Sequence, residues 1–253
     1  MFEHVVLYDF SPTGGTRRVG EAFCRAIARS ITVVNLCAPE IPAHLENADI
    51  AVLAAPVFGG RLPEIAARRF AALKGHSLPA VTFAVYGTRA FEDALLELND
   101  IAEADDFRVV ASAACIAQHS IVPEVGPGRP DAADLDEIAA FAARVWEKIS
   151  KGGTDTPAVP GNRPYKQGMA SLTAPVTQDG CTRCGRCAAV CPTKAIAVSA
   201  QGVETRAELC AMCMACTAAC PTHARVLPPV VQQKTAEKLH SLCGVHRPNA
   251  FYL

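Results

Sequence analysis

The sequence predicts an α/β fold over its first 150 residues, with a doubly wound five-stranded parallel sheet, followed by a small cysteine-rich α+β domain. Two observations predict this arrangement. Short, nearly continuous apolar segments alternate with amphipathic segments in the first part, and the last third carries two copies of one cysteine motif. Strands that are covered by helices on both faces read as continuous apolar runs. At 253 residues, 50% of them hydrophobic, the chain is long enough for both domains.

Five apolar segments are predicted to be strands. They are Val5–Phe10, Ile31–Leu36, Ile50–Ala55, Val81–Tyr86 and Val109–Ala117. Helices are predicted near Thr16–Arg29, Glu64–Leu73, Phe91–Ala104 and Asp131–Ser150. Five strands that alternate with helices suit the doubly wound, flavodoxin-like strand order 2-1-3-4-5, in which ligands bind beyond the carboxyl ends of the strands.

The composition changes after Ser150. Residues 151–174 are rich in glycine and proline, which is typical of a linker. We therefore expect one domain at 1–150, a linker at 151–174, the cysteine-rich domain at 175–230 and a C-terminal helix and tail at 231–253. Short strands are predicted near Ala195–Val198 and Thr222–Leu227, and the tail could pack on either domain.

The cysteine-rich part repeats the pattern C-x2-C-x2-C-x3-C-P. Eight of the 12 cysteines lie in it: Cys181, Cys184, Cys187 and Cys191, then Cys210, Cys213, Cys216 and Cys220. In two-cluster bacterial ferredoxins, this run binds [4Fe–4S] clusters, and its fourth cysteine ligates the other cluster. We therefore expect Cys191 to ligate with the second motif and Cys220 with the first. Zinc sites usually have wider gaps, and disulfide frameworks suit small secreted domains.

The loop after the first predicted strand is a candidate phosphate site. It contains Ser11, Thr13, Gly14, Gly15 and Thr16. Hydroxyl groups and free backbone N–H groups at a helix N-terminus can surround a phosphate. The loop lacks the Walker lysine and the dinucleotide fingerprint, so a monophosphate held by neutral donors fits it best. The alternative is an ordinary polar turn with a capping hydroxyl.

Two further loops follow predicted strands three and four. Their residues are Pro56, Val57, Phe58, Gly59, Gly60 and Arg61 in the first, and Tyr86, Gly87, Thr88, Arg89 and Phe91 in the second. Each loop offers aromatic rings beside glycines, so backbone amides can approach a planar ligand. Each ring alone is as consistent with a core position. Because three such loops meet at one point of the sheet, a flavin is the favoured ligand.

The chain resembles flavodoxin–ferredoxin fusions, the group known as EFR1-family ferredoxins, over nearly its whole length. Besides the cysteine motifs, the resemblance rests on FSPTGGT at 10–16, YGTRAFEDAL at 86–95 and VPGNRPYK at 159–166. It implies FMN bound by residues 11–16, 56–61 and 86–91. With the two [4Fe–4S] clusters, it implies an electron-transfer protein.

Other residues leave alternatives open. Arg61 and Arg89 are either cations near the flavin or solvated side chains. His119 and Glu124 follow the fifth strand near the ligand edge of the sheet and either touch a substrate or form a surface pair, and the pair is favoured. Cys24 and Cys115 lie in apolar segments and are predicted to be small core residues. Cys243, between His240 and His246, could belong to a weak metal cluster, although the context favours this little.

The predicted function is electron transfer between FMN and the clusters, which links one- and two-electron carriers and requires a redox protein as donor or acceptor. The linker would let the cysteine-rich domain fold over the flavin edge, with Arg163 and Tyr165 as candidate interface contacts. One alternative is a flavin-dependent reductase of a small organic substrate, which a roomy pocket over the flavin would favour. Another is a docking adaptor of a larger redox complex.

The net charge of −1 offers no basic excess for nucleic acid, and no apolar segment is long enough to span a membrane. The start of the sequence lacks the cationic region of a signal peptide. We therefore expect a cytoplasmic protein. The sequence does not indicate its oligomeric state.

Overall fold

The N-terminal part of the protein alternates strands and helices as the sequence predicts. A computed structural model describes residues 1–38, 48–169 and 173–253. The strands are β1 (Phe2–Asp9), β2 (Ala28–Asn35), β3 (Ile50–Pro56), β4 (Pro79–Tyr86) and β5 (Arg108–Ile116). The helices are α1 (Gly15–Ile27), α2 (Glu64–Phe70), α3 (Ala94–Ala104) and α4 (Ala132–Ser150).

The C-terminal part consists of short elements and one longer helix. They are β6 (Val176–Thr177), α5 (Arg186–Ala189), β7 (Ile196–Val198), β8 (Val203–Thr205), α6 (Ala215–Ala218), β9 (Arg225–Val226), α7 (Pro229–Leu239) and β10 (Ala250–Tyr252). Single 3₁₀ turns follow β8 and α7, at Ala207–Leu209 and His240–Leu242. β6 pairs with β9 and β7 pairs with β8, both antiparallel.

The central sheet has the order β2-β1-β3-β4-β5-β10. Its first five strands are parallel, which confirms the predicted fold and the flavodoxin-like order. The sequence analysis missed the sixth strand. β10 runs antiparallel to β5, with Ala250 opposite Ala114 and Tyr252 opposite Ser112. It covers the backbone of β5, which would otherwise be an open sheet edge.

Helices cover both faces of this sheet. One apolar core lies under α1 and α4, and the other lies under α2 and α3. In the first core the ring of Phe23 on α1 contacts that of Phe83 on β4, with ring centroids 5.1 Å apart, and Phe141 on α4 completes the cluster. Because both faces are buried, the strands need no polar alternation, and this explains their continuous apolar sequence.

The linker lies along α3 and is not a free tether. Asp93, at the start of α3, accepts the backbone N–H of Asn162 at 2.9 Å and that of Lys166 at 2.7 Å. Arg163 donates from Nε to Asp100 at 2.9 Å, and the hydroxyl of Tyr165 donates to the same carboxylate. Arg163 and Tyr165 therefore hold the linker on the first domain instead of forming the interface contacts predicted for them. Residues 170–172 of the predicted linker lie outside the described residues.

The C-terminal segment returns to the first domain. The side-chain amide of Gln232 on α7 donates to the carbonyl of Ile121 at 2.6 Å, and Leu239 packs with Val122 and Val125 in the loop after β5. This settles the choice that the sequence left open between the two domains. In the described parts of the chain, no helix is both long and apolar enough to cross a bilayer.

Candidate functional site

A cavity of about 280 Å³ lies beyond the carboxyl ends of the parallel strands. We call it the switch-point pocket. Ten residues of the three predicted loops line it: Thr13, Gly15, Thr16, Pro56, Val57, Phe58, Gly59, Tyr86, Gly87 and Arg89. The three loops therefore converge on one cavity, because parallel strands deliver their carboxyl ends to the same edge of the sheet.

The first loop presents neutral donors to this pocket. Arg17 directs its guanidinium away, to the fully buried Asp9, with Nε–Oδ2 and Nη2–Oδ1 distances of 2.9 and 2.8 Å. The hydroxyl of Ser11 accepts the backbone N–H of Arg17 at 2.9 Å. Thr16 is buried in the first turn of α1, where backbone N–H groups have no partner within the helix. These groups suit an anion held by hydrogen bonds.

Two glycines allow the walls of the pocket to come close together. Gly59 has a φ of 61°, in the left-handed region, and a side chain there would also meet Met169 of the linker at 3.2 Å. A Cβ on Gly87 would lie 2.6 Å from the ring of His119. Larger residues at either position would force the neighbouring segments apart.

Six predicted ligand residues do not line the switch-point pocket: Ser11, Gly14, Gly60, Arg61, Thr88 and Phe91. Gly14 faces a neighbouring cavity, and Phe91 packs on Tyr86 with ring centroids 5.4 Å apart. Gly60 leaves no room for a side chain, because Glu92 lies against it. Thr88 is almost fully buried, and its hydroxyl has no hydrogen-bond partner among the described residues.

Arg61 and Arg89 are both paired with carboxylates. The guanidinium of Arg61 bonds Glu97 through Nε and Nη2, each at 2.8 Å, and lies 4.6 Å from the ring centroid of Tyr165. Arg89 lines the pocket but pairs with Glu92 at 3.0 Å. Arg89, followed by Lys166, lowers the pKa of Glu92 to about 2. Arg61 thus anchors the linker and does not line the pocket.

The eight motif cysteines line two small cavities. The first cysteine cavity contains Cys181, Cys184, Cys187 and Cys220. The second cysteine cavity contains Cys191, Cys210, Cys213 and Cys216. Each cavity thus combines three cysteines of one motif with the fourth of the other. This is the crossed arrangement that the sequence predicts.

The two motifs have the same backbone conformation. Positive φ angles of 55° at Arg183 and 49° at Met212 recur in equivalent places, as do 53° at Lys194 and 54° at His223. These turns direct backbone N–H groups at sulfur: Met212 donates to Cys210 at 3.4 Å and Ala195 donates to Cys191 at 3.3 Å. N–H groups of this kind are typical around iron–sulfur clusters.

All eight thiols are free. Burial raises the pKa of the Cys213 thiol to about 12. At Cys220 burial acts in the same direction, but hydrogen bonds from Arg225, Thr222 and Ala224 outweigh it and lower the pKa. Among the described residues, no three His, Cys, Asp or Glu side chains converge on one metal-ion position. A cubane differs from such a site because each cysteine binds a separate iron.

Comparison with protein families gives one match, the 4Fe-4S dicluster domain, at residues 175–221. The chain joins a flavodoxin-like domain to a dicluster domain. The strand order of the central sheet carries the first assignment, and the family match together with the cysteine pattern carries the second. The dicluster match and the eight motif cysteines support two [4Fe–4S] clusters as cofactors.

Comparison with curated proteins gives no match. Among solved structures, flavodoxin 1 from Bacillus cereus is 16% identical, with a TM-score of 0.42, over 57% of this chain and 98% of that chain. A WrbA-like flavodoxin from Agrobacterium tumefaciens is 15% identical, with a TM-score of 0.42, over 60% of this chain and 99% of that chain. The flavodiiron core of Flv1 from Synechocystis sp. PCC6803 is 14% identical, with a TM-score of 0.41, over 59% of this chain and 36% of that chain.

His119, in the loop after β5 of the flavodoxin-like domain, lines the switch-point pocket. Its Nδ1 accepts the backbone N–H groups of Ile121 and Val122 at 3.2 and 3.1 Å, in place of the predicted surface pair with Glu124. Burial lowers the pKa of this imidazole, so the neutral ring is favoured. Because Nδ1 is an acceptor, the proton of that ring belongs on Nε2.

The roof of the switch-point pocket comes from distant parts of the chain, which the sequence analysis did not identify. It consists of Met169 from the linker, Met212 and Cys213 from the dicluster domain, and Thr235, Lys238 and Leu239 from α7. Met212 and Met214 form an apolar cluster with Leu227, and Ile121 of the flavodoxin-like domain packs against it. This cluster holds the two domains together at the pocket.

The four other cysteines have separate positions. Cys24 and Cys115 are fully buried in the core of the flavodoxin-like domain, as predicted, and burial raises the pKa of both thiols. Cys37 is partly buried, and burial raises its pKa to about 12. Cys243 is exposed.

Proposed function

We propose that this protein transfers electrons between an FMN in the switch-point pocket and two [4Fe–4S] clusters in the cysteine cavities. When bound, FMN supplies transfer of one or two electrons and each cluster supplies transfer of one, so the chain would link one-electron and two-electron carriers. An external redox protein would be the donor or the acceptor.

The hydrogen-bond donors that line the switch-point pocket suit FMN. Thr13, Gly15 and Thr16 would hold the phosphate with hydroxyl and backbone N–H groups at the start of α1. Phe58 and Tyr86 would face the flavin ring, and the Nε2–H of His119 would offer it a donor. Arg17, which follows this loop, is committed to Asp9 and does not line the pocket.

The cysteine cavities fit two clusters with crossed ligation. Cys181, Cys184, Cys187 and Cys220 would hold one, and Cys191, Cys210, Cys213 and Cys216 the other. Three thiols from one motif and one from the other line each cavity, and the two halves share one backbone geometry.

One observation carries the proposal: Cys213 lines both the second cysteine cavity and the switch-point pocket. A cluster ligated by Cys213 would therefore lie directly beside the pocket. The first cysteine cavity shares no lining residue with the switch-point pocket and includes the exposed Cys184. This supports a path from the pocket through the second cavity and the first to solvent, where a partner protein can approach.

The size of the switch-point pocket favours a carrier over a reductase. Its volume of about 280 Å³ is at the lower limit of the ~300–1,000 Å³ that is usual for small-molecule sites. Met212 and Leu239 lie in its roof, and α7 closes its side. A flavin would fill this volume, so an organic substrate would have to enter from the adjoining cavity beside Gly14 and His119.

Rapid anaerobic reduction of the holoprotein tests this function. One centre is reduced selectively, and absorbance changes of the flavin and the clusters are followed over a range of protein concentrations. We expect a transfer rate that does not depend on concentration. Cys213→Ala should abolish electron exchange between the flavin and the clusters. Cys184→Ala should leave exchange between the flavin and the cluster of the second cysteine cavity intact.

A rate proportional to protein concentration would contradict transfer within one chain. Saturable oxidation of the reduced protein by a small organic acceptor, faster than oxidation by any ferredoxin, would favour the reductase instead. Purified protein that binds no FMN would refute the flavin assignment, and iron content far below about eight per chain would refute the cluster assignment.

A further inference from the structure

Arg225 is a buried cation in the centre of the dicluster domain. Its side chain lines the first cysteine cavity, and the residue is only 3% exposed. Neutral groups hold its guanidinium: Nη1 donates to the hydroxyl of Thr177 at 2.7 Å, and Nη2 donates to the carbonyl of Pro175 at 2.8 Å and the hydroxyl of Thr205 at 2.7 Å. Its Nε–H is buried and has no partner among the described residues.

The internal repeat shows that this cation is particular to one half of the domain. The sequence Cys220-Pro-Thr-His-Ala-Arg225 corresponds to Cys191-Pro-Thr-Lys-Ala-Ile196. Ile196 lines the second cysteine cavity at the place where Arg225 lines the first. The fold therefore accepts an apolar side chain at this position and does not require an arginine there.

A buried guanidinium without a carboxylate partner is costly, because removing an ion from water costs several kcal/mol unless an opposite charge compensates it. None of the described carboxylates forms an ion pair with Arg225. Arg225 lies between the two cysteine cavities, because its side chain lines the first and its Nη2 donates to Pro175 and Thr205, which both line the second.

We propose that Arg225 is the shared counter-charge of the two clusters and raises the reduction potentials of both. This rests on the two-cluster ligation proposed above. Reduction adds one negative charge to a cluster, so a fixed cation stabilises the reduced form more than the oxidised form. Because Arg225 is buried, the effect is screened little by solvent and salt. Arg225 acts on the clusters through charge and position and does not ligate them.

Redox titration of the holoprotein, followed by EPR at low temperature, tests the proposal. Arg225→Ile installs the residue that the other half uses, Arg225→Gln keeps a polar donor without charge, and Arg225→Lys keeps the charge. Arg206→Ile is the matched control, because Arg206 is an exposed arginine of the same domain. We expect the two neutral variants to disfavour reduction of each cluster at least tenfold, which is about 59 mV for a one-electron couple. The Lys variant and the control should stay near the wild type.

Iron analysis and the wild-type EPR spectrum separate this proposal from the ligation on which it rests. Wild-type protein without two cluster signals would refute the ligation, whatever Arg225 does. If both signals are present, two results would overturn the proposal of a shared counter-charge. One is unchanged reduction potentials in the neutral variants, and the other is a fall in the potential of only one cluster. If the neutral variants lose iron, retention by Arg225→Lys supports a requirement for the charge, and equal loss in that variant refutes it.

Discussion

At the scale of single residues, the fourth cysteine of each motif lies in the cavity of the other motif. Cys191 belongs to the first motif but lies in the second cysteine cavity, and Cys220 shows the converse. The proline after each of them lies in a turn that begins at the cysteine and follows the short helix of its motif, so the chain leaves its own cavity there. A single substitution can therefore report on the crossing.

We expect Cys191→Ala to destroy the cluster held by Cys210, Cys213 and Cys216 and to spare the other, because a cubane lacks one ligand only in the second cavity. EPR and iron analysis of anaerobically prepared protein measure this, with iron falling from about eight toward about four per chain. Cys243→Ala, an exposed cysteine outside the motifs, is the control. Loss of the opposite cluster would contradict crossed ligation.

Thr16 provides a residue-scale test of the pocket. We expect Thr16→Ala to weaken FMN binding by roughly 1–3 kcal/mol, because a buried phosphate oxygen loses its hydroxyl partner. Fluorescence titration of the apoprotein measures the dissociation constant. Riboflavin, which has no phosphate, should bind more weakly and should not respond to the substitution. An equal loss of affinity for both ligands would place Thr16 away from the phosphate.

At the scale of elements, the linker behaves as a part of the flavodoxin-like domain. Asp93 is almost fully buried and accepts N–H groups from both Asn162 and Lys166, and these hydrogen bonds, that of Lys166 above all, lower its pKa. The linker therefore fixes where the dicluster domain begins.

We expect Asp93→Asn to release the linker, because a carboxamide has a single acceptor oxygen and would leave a partly buried backbone N–H without its charged acceptor, at a cost of about 1–3 kcal/mol. Hydrogen exchange of the Lys166 amide should become faster, by about tenfold for each 1.4 kcal/mol lost. Asp155→Asn is the control, since Asp155 lies in the same linker with a side chain that is 77% exposed. An unchanged exchange rate in Asp93→Asn would show that other contacts hold the linker.

At the scale of the whole molecule, C-terminal segments complete a pocket that is also lined by the loop near residue 13. The roof of the switch-point pocket includes Met212 of the dicluster domain and Leu239 of α7, and Leu239 packs against Val122 and Val125. β10 then joins the sheet beside β5. Flavin binding and the packing of the C-terminal segment are thus expected to depend on each other.

We expect Leu239→Ala to loosen α7 at a cost of about 2–5 kcal/mol and to speed the release of FMN from the holoprotein. Quenching of flavin fluorescence by iodide should also increase, because the roof opens. Val230→Ala on the same helix is the control, since Val230 is 62% exposed. Unchanged release and quenching would mean that α7 does not close the pocket.

The sequence alone determined the local structure and the cysteine sets. Continuous apolar strands and amphipathic helices are patterns of a few residues, so the order and type of the main elements could be predicted, and the repeated motif predicted which cysteines share a cavity. It also indicated which three loops form the pocket, because parallel strands end at one edge of the sheet.

Only the tertiary structure decided which residues from distant parts of the sequence contact one another. Arg61 binds Glu97 and Tyr165 and anchors the linker, although its loop resembles a flavin-binding segment. The roof of the pocket, the three-residue strand β10 and the burial of Arg225 between the two cysteine cavities were equally hidden from the sequence. Each depends on contacts between segments far apart in the chain, and such contacts leave no short periodic pattern, because they are selected by the shape and charge of the folded surfaces they join.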